Sequence, residues 1–374
     1  GLRILDVGDT GWMLHGPLGP DPVAYWLTWT FFRRAAWTWP PGLNPDYGLE
    51  LASAIFYVDI VPLLALPLKA LRGIVTVDQY WGPWLVACGV LQAGVAWRLI
   101  GLATGDPLAR AAGAALFAFQ PMMINRMGGH FALVAHWVLL AALHLCLRDP
   151  AGRRQGLAWT LLLGTTALIN AYLLAMTAAL WGADLVARAF REGRIARRLA
   201  EGLAVLAAVG FALWLGGFFS LAGPLRPLGP GYGATGLDLL APFDAVEWGR
   251  VLPALPTLRH WEHGGSYLGA GSFLLLAAAL VALLTGRLAW RALLARHALL
   301  LAALAAMLAF AVTHRIAIAG VVIVELPLPA LVQRVADLLR ASERFFWPLA
   351  YAALFGAVAA VVARWGGRRA GLLL

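Results

Sequence analysis

The sequence has little charge and almost no lysine. Asp, Glu, Lys and Arg make up 13% of its 374 residues, against about 25% in soluble globular domains. That shortage excludes a water-covered surface over most of the molecule. Of the 29 basic residues, 28 are Arg and one is Lys69. Only two cysteines occur, Cys88 and Cys146, each inside an apolar run and without metal-ligand spacing, so both read as buried thiols. No Walker motif, no GxGxxG after a strand, no GxSxG and no HExxH is present, which removes the corresponding nucleotide, dinucleotide, hydrolase and zinc-protease chemistries. Nucleic-acid modules are missing as well, and no paired broken repeats of the secondary-transporter kind are evident. What remains is apolar: 61% hydrophobic residues and a mean hydropathy of +0.76 describe a polytopic membrane protein of the all-α class.

The stretch Asp21 to Pro45, DPVAYWLTWTFFRRAAWTWPPGLNP, is too polar to span a bilayer. Gly19-Pro20-Asp21-Pro22 predicts a helix start with Asp21 as N-cap and a proline in the first turn. Trp39-Pro40-Pro41-Gly42 stops it. Five of the 17 Trp lie in the first 40 residues, and Trp favours the membrane–water boundary, so an interfacial amphipathic helix is expected here. Ser53–Leu71 is apolar but carries Asp59, Pro62 and Pro67, and reads as a re-entrant or juxtamembrane helix. About nine crossings are expected over residues 81–363, among them Trp81–Leu102, Leu108–Ile124, Phe131–Leu147, Leu199–Phe219, Leu268–Thr285, His297–Val312 and Phe345–Ala363. Gly156–Phe190 would run about 52 Å as one helix, so a break at Asn170 into two short crossings is expected. The whole chain reads as one transmembrane domain. It opens on Gly1 and stops at Leu374 as another apolar run begins, so a missing first span and a missing C-terminal part are expected.

Charge assigns the sides. One face receives 16 Arg, in clusters at 148–154, 188–198, 287–296 and 364–369 with Arg98 and Arg110, against five acidic residues. The positive-inside rule makes that face cytoplasmic. The opposite face holds residues 1–50, Asn125–His130, the turn at Asn170, Leu221–Tyr267 and Thr313–Arg344, where the non-repetitive polar residues gather.

Several of those residues could carry chemistry. Asp21 reads as a helix cap, a general base, or both. Asp59, in FYVDIVPLL, is a carboxylate in an apolar setting, which marks either a functional group or a buried pair. His130 and Arg126 share the short polar run NRMGGH. Arg33 and Arg34 either snorkel to headgroups or bind a lipid phosphate. His260-Trp-Glu262-His263 has the i, i+3 spacing of a metal pair, but no helical pattern surrounds it; Glu262 reads better as a substrate-binding carboxylate. Arg340, Glu343 and Arg344, in RASERFFWP, suit either phosphate binding or helix-end anchoring.

Taken together, DPVAYWLTWTFFRRAAWTWPPGLNPDYGLE, FYVDIVPLLALPLKAL, QYWGPWLVACGVLQ, NRMGGHFALVAHW, HWEHGGSYLGAG and RASERFFWP resemble an uncharacterised bacterial multi-pass membrane family related to the GT-C superfamily. That resemblance implies a GT-C-like helical bundle in the bacterial inner membrane. It implies transfer of a sugar from a polyprenyl-phosphate donor to a glycan, lipid or protein acceptor on the extracytoplasmic side. It makes Asp21 the match to the superfamily's acidic residue of the first outer loop, and Asn125–His130 the polar second loop. Asn170 stands where a His would be expected. The catalytic candidates are then Asp21, Asp59 and His130; the substrate-binding candidates are Arg33, Arg34, Arg126, Glu262, Arg340, Glu343 and Arg344. No metal ligands and no definite cofactor are assigned, a divalent metal ion being left open. Partners are the lipid-linked donor, the acceptor and membrane lipids, with no nucleic acid. The alternative is a transporter or flippase of a lipid-linked sugar, with a non-catalytic scaffold behind it; transport would call for more ionisable residues within the spans.

Overall fold

The computed structural model describes residues 3–16, 18–47, 53–149, 153–220, 230–246, 248–249, 252–286 and 294–374; Glu50, Arg287 and Arg291 lie outside them. Helix accounts for 65% of the described residues and strand for 4%, as an all-α chain requires. Among the described residues the strands form two antiparallel pairs, β1 (Leu43–Asn44) with β2 (Ser53–Ala54) and β3 (Arg315–Ile318) with β4 (Val321–Glu325).

The expected helix is present as α1 (Asp21–Arg34), but it ends at Arg34, before the Trp39-Pro40-Pro41-Gly42 stop that its sequence suggests. It buries Tyr25, Trp29 and Phe32 along one side, the i, i+4, i+7 spacing of a helix face. That face packs on protein: the Trp29 indole donates to the Val77 carbonyl at 3.0 Å. In segment 53–71, β2 and a 3₁₀ turn at Ile55–Tyr57 precede α2 (Pro62–Ala70), which is entered through Val61 in the left-handed region. Nine residues rise about 13 Å, well short of a roughly 30 Å hydrocarbon core, so no continuous spanning helix forms here.

Among the described residues four helices are long and apolar enough to cross a membrane: α3 (Trp81–Ile100), α8 (Ala171–Glu192), α9 (Ile195–Leu215) and the run Ser342–Trp365, whose α-helical part is α13 (Trp347–Trp365). The expected crossing Leu108–Ile124 is interrupted. It divides into α4 (Pro107–Ala118) and α5 (Pro121–Arg126), because Pro121 has no N–H to continue the ladder and holds Gln120 extended. Phe131–Leu147 likewise divides into a 3₁₀ turn at Phe131–Val134 and α6 (Trp137–Leu147). The break at Asn170 is present, between α7 (Arg153–Ala167) and α8. At 22 residues α8 is a full-length helix, not the short one expected. The shorter apolar helices α10 (Ala270–Thr285) and α11 (Ala298–Val312) follow, and then α12 (Ala330–Ala336), which precedes the 342–365 run. The buried centre joins α3, α4, α6, α8 and α13 through side chains such as Trp81, Phe117, Leu139, Met176 and Tyr351.

Candidate functional site

The helix that begins with Asp21 places its first residue at a cavity. Pro20 occupies the cap position with helical φ and ψ, so the helix starts one residue earlier than its sequence suggests. No side-chain cap hydrogen bond forms, which corrects the reading of Asp21 as N-cap. Its carboxylate is 51% exposed and stands 3.6 Å from Nδ1 of His130. The first-turn N–H groups and the helix dipole favour a negative charge there.

Asp59 enters the same cavity from the segment before α2. Asn170 organises it: its Oδ1 accepts from the N–H groups of Tyr172 and Leu173, capping α8, while its Nδ2 donates to Asp59 Oδ1 at 3.1 Å. Burial raises the Asp59 pKa and nearby Asp21 adds to the rise; His130, Arg344 and the Asn170 bond pull the other way without cancelling it. Burial lowers the His130 pKa, and Arg344 and Arg126 lower it further. At neutral pH His130 is therefore an uncharged imidazole, able to accept or donate one hydrogen bond on each ring nitrogen.

Beneath the cavity lies a buried charge cluster. Glu262, 1% exposed, accepts from Arg344 Nε at 2.9 Å and Nη2 at 2.6 Å, and from Arg126 Nη1 at 2.9 Å. Burial would raise the Glu262 pKa, but Arg344 and Arg126 outweigh it and bring it down to about 2. The following Gly-Gly pair makes room for this. A Cβ on Gly265 would fall 2.5 Å from Arg126 Nη2, and its carbonyl accepts the Trp347 indole N–H at 2.9 Å. Arg344 also lies 4.5 Å above the Tyr172 ring, and Arg340 lies 5.9 Å from the Trp261 ring.

Asp21, Asp59, His130, Arg340 and Arg344 line one cavity of about 570 Å³, with Tyr25, Tyr57, Asn170, Tyr172 and Trp261. A second cleft, of about 640 Å³, shares His130 and Trp261 as a wall and adds Asn125, Arg126, Trp248 and His263. Glu262 and Glu343 line neither. Glu343 is buried, with its Oε2 3.3 Å from His260 Nε2. Arg33 and Arg34 are not brought to these cavities: they sit at the far end of α1, about 20 Å away along its axis, in a separate cleft with Arg72. There Arg33 binds the Val77 carbonyl and Asp78, each at 2.6 Å. His263 faces Asp244 at 3.2 Å, so the two histidines of His260–His263 have separate partners. Among the described residues no three His, Cys, Asp or Glu side chains gather as a metal would need.

Sequence reasoning passed over Tyr25, Tyr57, Tyr172 and Trp261, and gave Asn170 no role. The signal for the last was local: Asn-Ala-Tyr, at a break between two helices, is itself a cap pattern. No curated protein and no solved structure matches this chain. One family model, described as "Domain of unknown function (DUF6311)", matches residues 1–374, and the chain belongs to that family.

Proposed function

We propose that the protein is a multi-pass membrane glycosyltransferase. It moves a sugar from a polyprenyl-phosphate donor to an acceptor hydroxyl on the extracytoplasmic face. One observation carries the reading: an exposed carboxylate, two arginines and several aromatic rings meet around a single cavity. In the reaction, the acceptor oxygen bonds to the anomeric carbon of the donor sugar as the carbon–oxygen bond to phosphate breaks. The acceptor proton passes to Asp21, and the electron pair leaves on the phosphate. Arg344 and Arg340 stabilise the charge that develops there, with donors held in place before the reaction. Glu262 fixes the Arg344 guanidinium from below, and Tyr172 and Trp261 offer ring faces to the sugar. Uncharged His130 stands beside Asp21, with Nδ1 3.6 Å from its carboxylate.

The test is Asp21→Asn. Because Asp21 makes no cap bond, the amide leaves α1 intact. Removing a positioned proton acceptor should lower transfer from a radiolabelled lipid-linked sugar by about 10²–10⁴-fold, with donor binding retained. Undiminished transfer removes Asp21 from the reaction. Translocation of the lipid-linked sugar by the wild type, without transfer, would replace the enzyme reading with a flippase.

A further inference from the structure

Between α11 and the 342–365 helix the chain makes an excursion over residues 313–341. Its two ends lie together, since Phe310 packs edge-on against Phe345 at 4.6 Å. The first part, hairpin β3–β4, is fastened to the preceding loop. The Asp238 carboxylate accepts the N–H groups of Ala319 at 3.2 Å and Gly320 at 2.8 Å, and the Leu239 N–H donates to the Ala317 carbonyl at 2.9 Å. The outer part is apolar and uncovered. Val321, Ile323, Leu326, Leu331, Val335 and Leu338 are each 52–73% exposed, a contiguous stretch of the kind that marks an interaction surface.

The backbone narrows the choice of occupant. Among the described residues β4 pairs only with β3, so its other edge carries free N–H and C=O groups. Such an edge is not tolerated in the hydrocarbon core. At the headgroup boundary, water and headgroups satisfy the edge while acyl chains cover the Val and Leu side chains. The few charges are arranged accordingly: Glu325 lies 3.5 Å from Arg315, and Asp337 accepts the Tyr232 N–H at 2.7 Å. Exposed Arg334 remains for lipid phosphate. The strip ends at Arg340 and Ala341 on the cavity wall.

We propose that residues 321–338 are seated in the headgroup–acyl boundary of the leaflet at which the cavity opens, with lipid as their partner. This holds whether or not the cavity transfers sugar. The test uses the full chain, in a Cys88→Ala, Cys146→Ala background, reconstituted in phosphatidylcholine–phosphatidylglycerol vesicles. A bimane label is placed at Leu331→Cys or Val335→Cys, with Ala254→Cys in the exposed loop as aqueous reference. Brominated phosphatidylcholine should quench the first two about threefold more than the third, as for a surface buried a few ångströms into the interface, and iodide should show the reverse order. Equal iodide access at all three sites overturns the proposal. So does pyrene excimer emission at 331 that survives dilution with lipid, which would put a second copy of the chain on the strip.

Discussion

Glu262 stands between two guanidinium groups, and this placement governs how the cavity responds to substitution and to acid. Arg126 and Arg344 are both largely buried, and an unpaired buried charge costs about 3–5 kcal/mol. Glu262→Ala strips both arginines of their carboxylate and should therefore destabilise the protein by that order, whereas Arg126→Ala leaves Glu262 its two bonds to Arg344 and should cost less. Glu262→Gln is the finer probe. Its carboxyl titrates near 2 in the folded protein, against about 4.3 unfolded, so the charged form is favoured by folding. The resulting stability, about 3 kcal/mol, is fully present above the unfolded value and is lost as pH falls through the folded one. Thermal unfolding in detergent should show a wild-type advantage over Glu262→Gln at pH 6 that shrinks steadily toward pH 2. A gap that does not change with pH would mean that the carboxylate is not held by its two arginines.

At the level of elements, the start of α8 is where local chain geometry and the cavity meet. Asn170 uses its carbonyl as a cap and its amide as the donor to Asp59. Asn170→Ala loses both, and the cap alone is worth about 1 kcal/mol, so its Tm should fall by a few degrees at every pH. Asn170→Asp keeps a capping oxygen but sets a second carboxylate against Asp59. Like charges disfavour ionisation of the pair, so this variant should approach wild type at pH 5 and lose stability as pH rises to 8. A wild-type Tm for Asn170→Ala would show that the cap is dispensable. Breaks of this local kind were legible in the sequence. The length of 156–190 required one, and Pro62 and Pro67 ruled out a full span before Trp81. The break at Pro121 carried the same signal but was hidden by the apolar composition around it. The pairings of Glu262 with Arg126 and with Arg344 cross 136 and 82 residues. Nothing in the spacing of three separate motifs predicts that they share one buried cluster. Asp238 and Asp244 escaped notice for a related reason: they serve mainly to accept loop N–H groups, a need that exists only once the loop has folded.

Across the whole molecule, the basic clusters and the cavity occupy opposite ends of the same helices. Helix α8 begins at Asn170 on the cavity wall and ends by Arg188 and Glu192, where Arg188 joins Glu201 of α9 at 2.6 Å. The 342–365 helix begins at Arg344 in the cavity and ends by Arg364, which reaches Thr285 at 3.1 Å. Arg296 meets Asp149 at 2.7 Å near that same end. Twenty-two residues of helix rise about 33 Å, enough to cross a hydrocarbon core of roughly 30 Å. If these helices cross the membrane, the Arg-rich ends and the cavity must face different compartments. The positive-inside rule then puts the Arg ends in the cytoplasm. A single cysteine at Arg194→Cys should react with a membrane-impermeant maleimide only after the cells are permeabilised, whereas Ala254→Cys should react in intact cells. Labelling of 194 from outside would reverse the orientation. The cavity would then face the cytoplasm, and transfer to an extracytoplasmic acceptor would have to be abandoned.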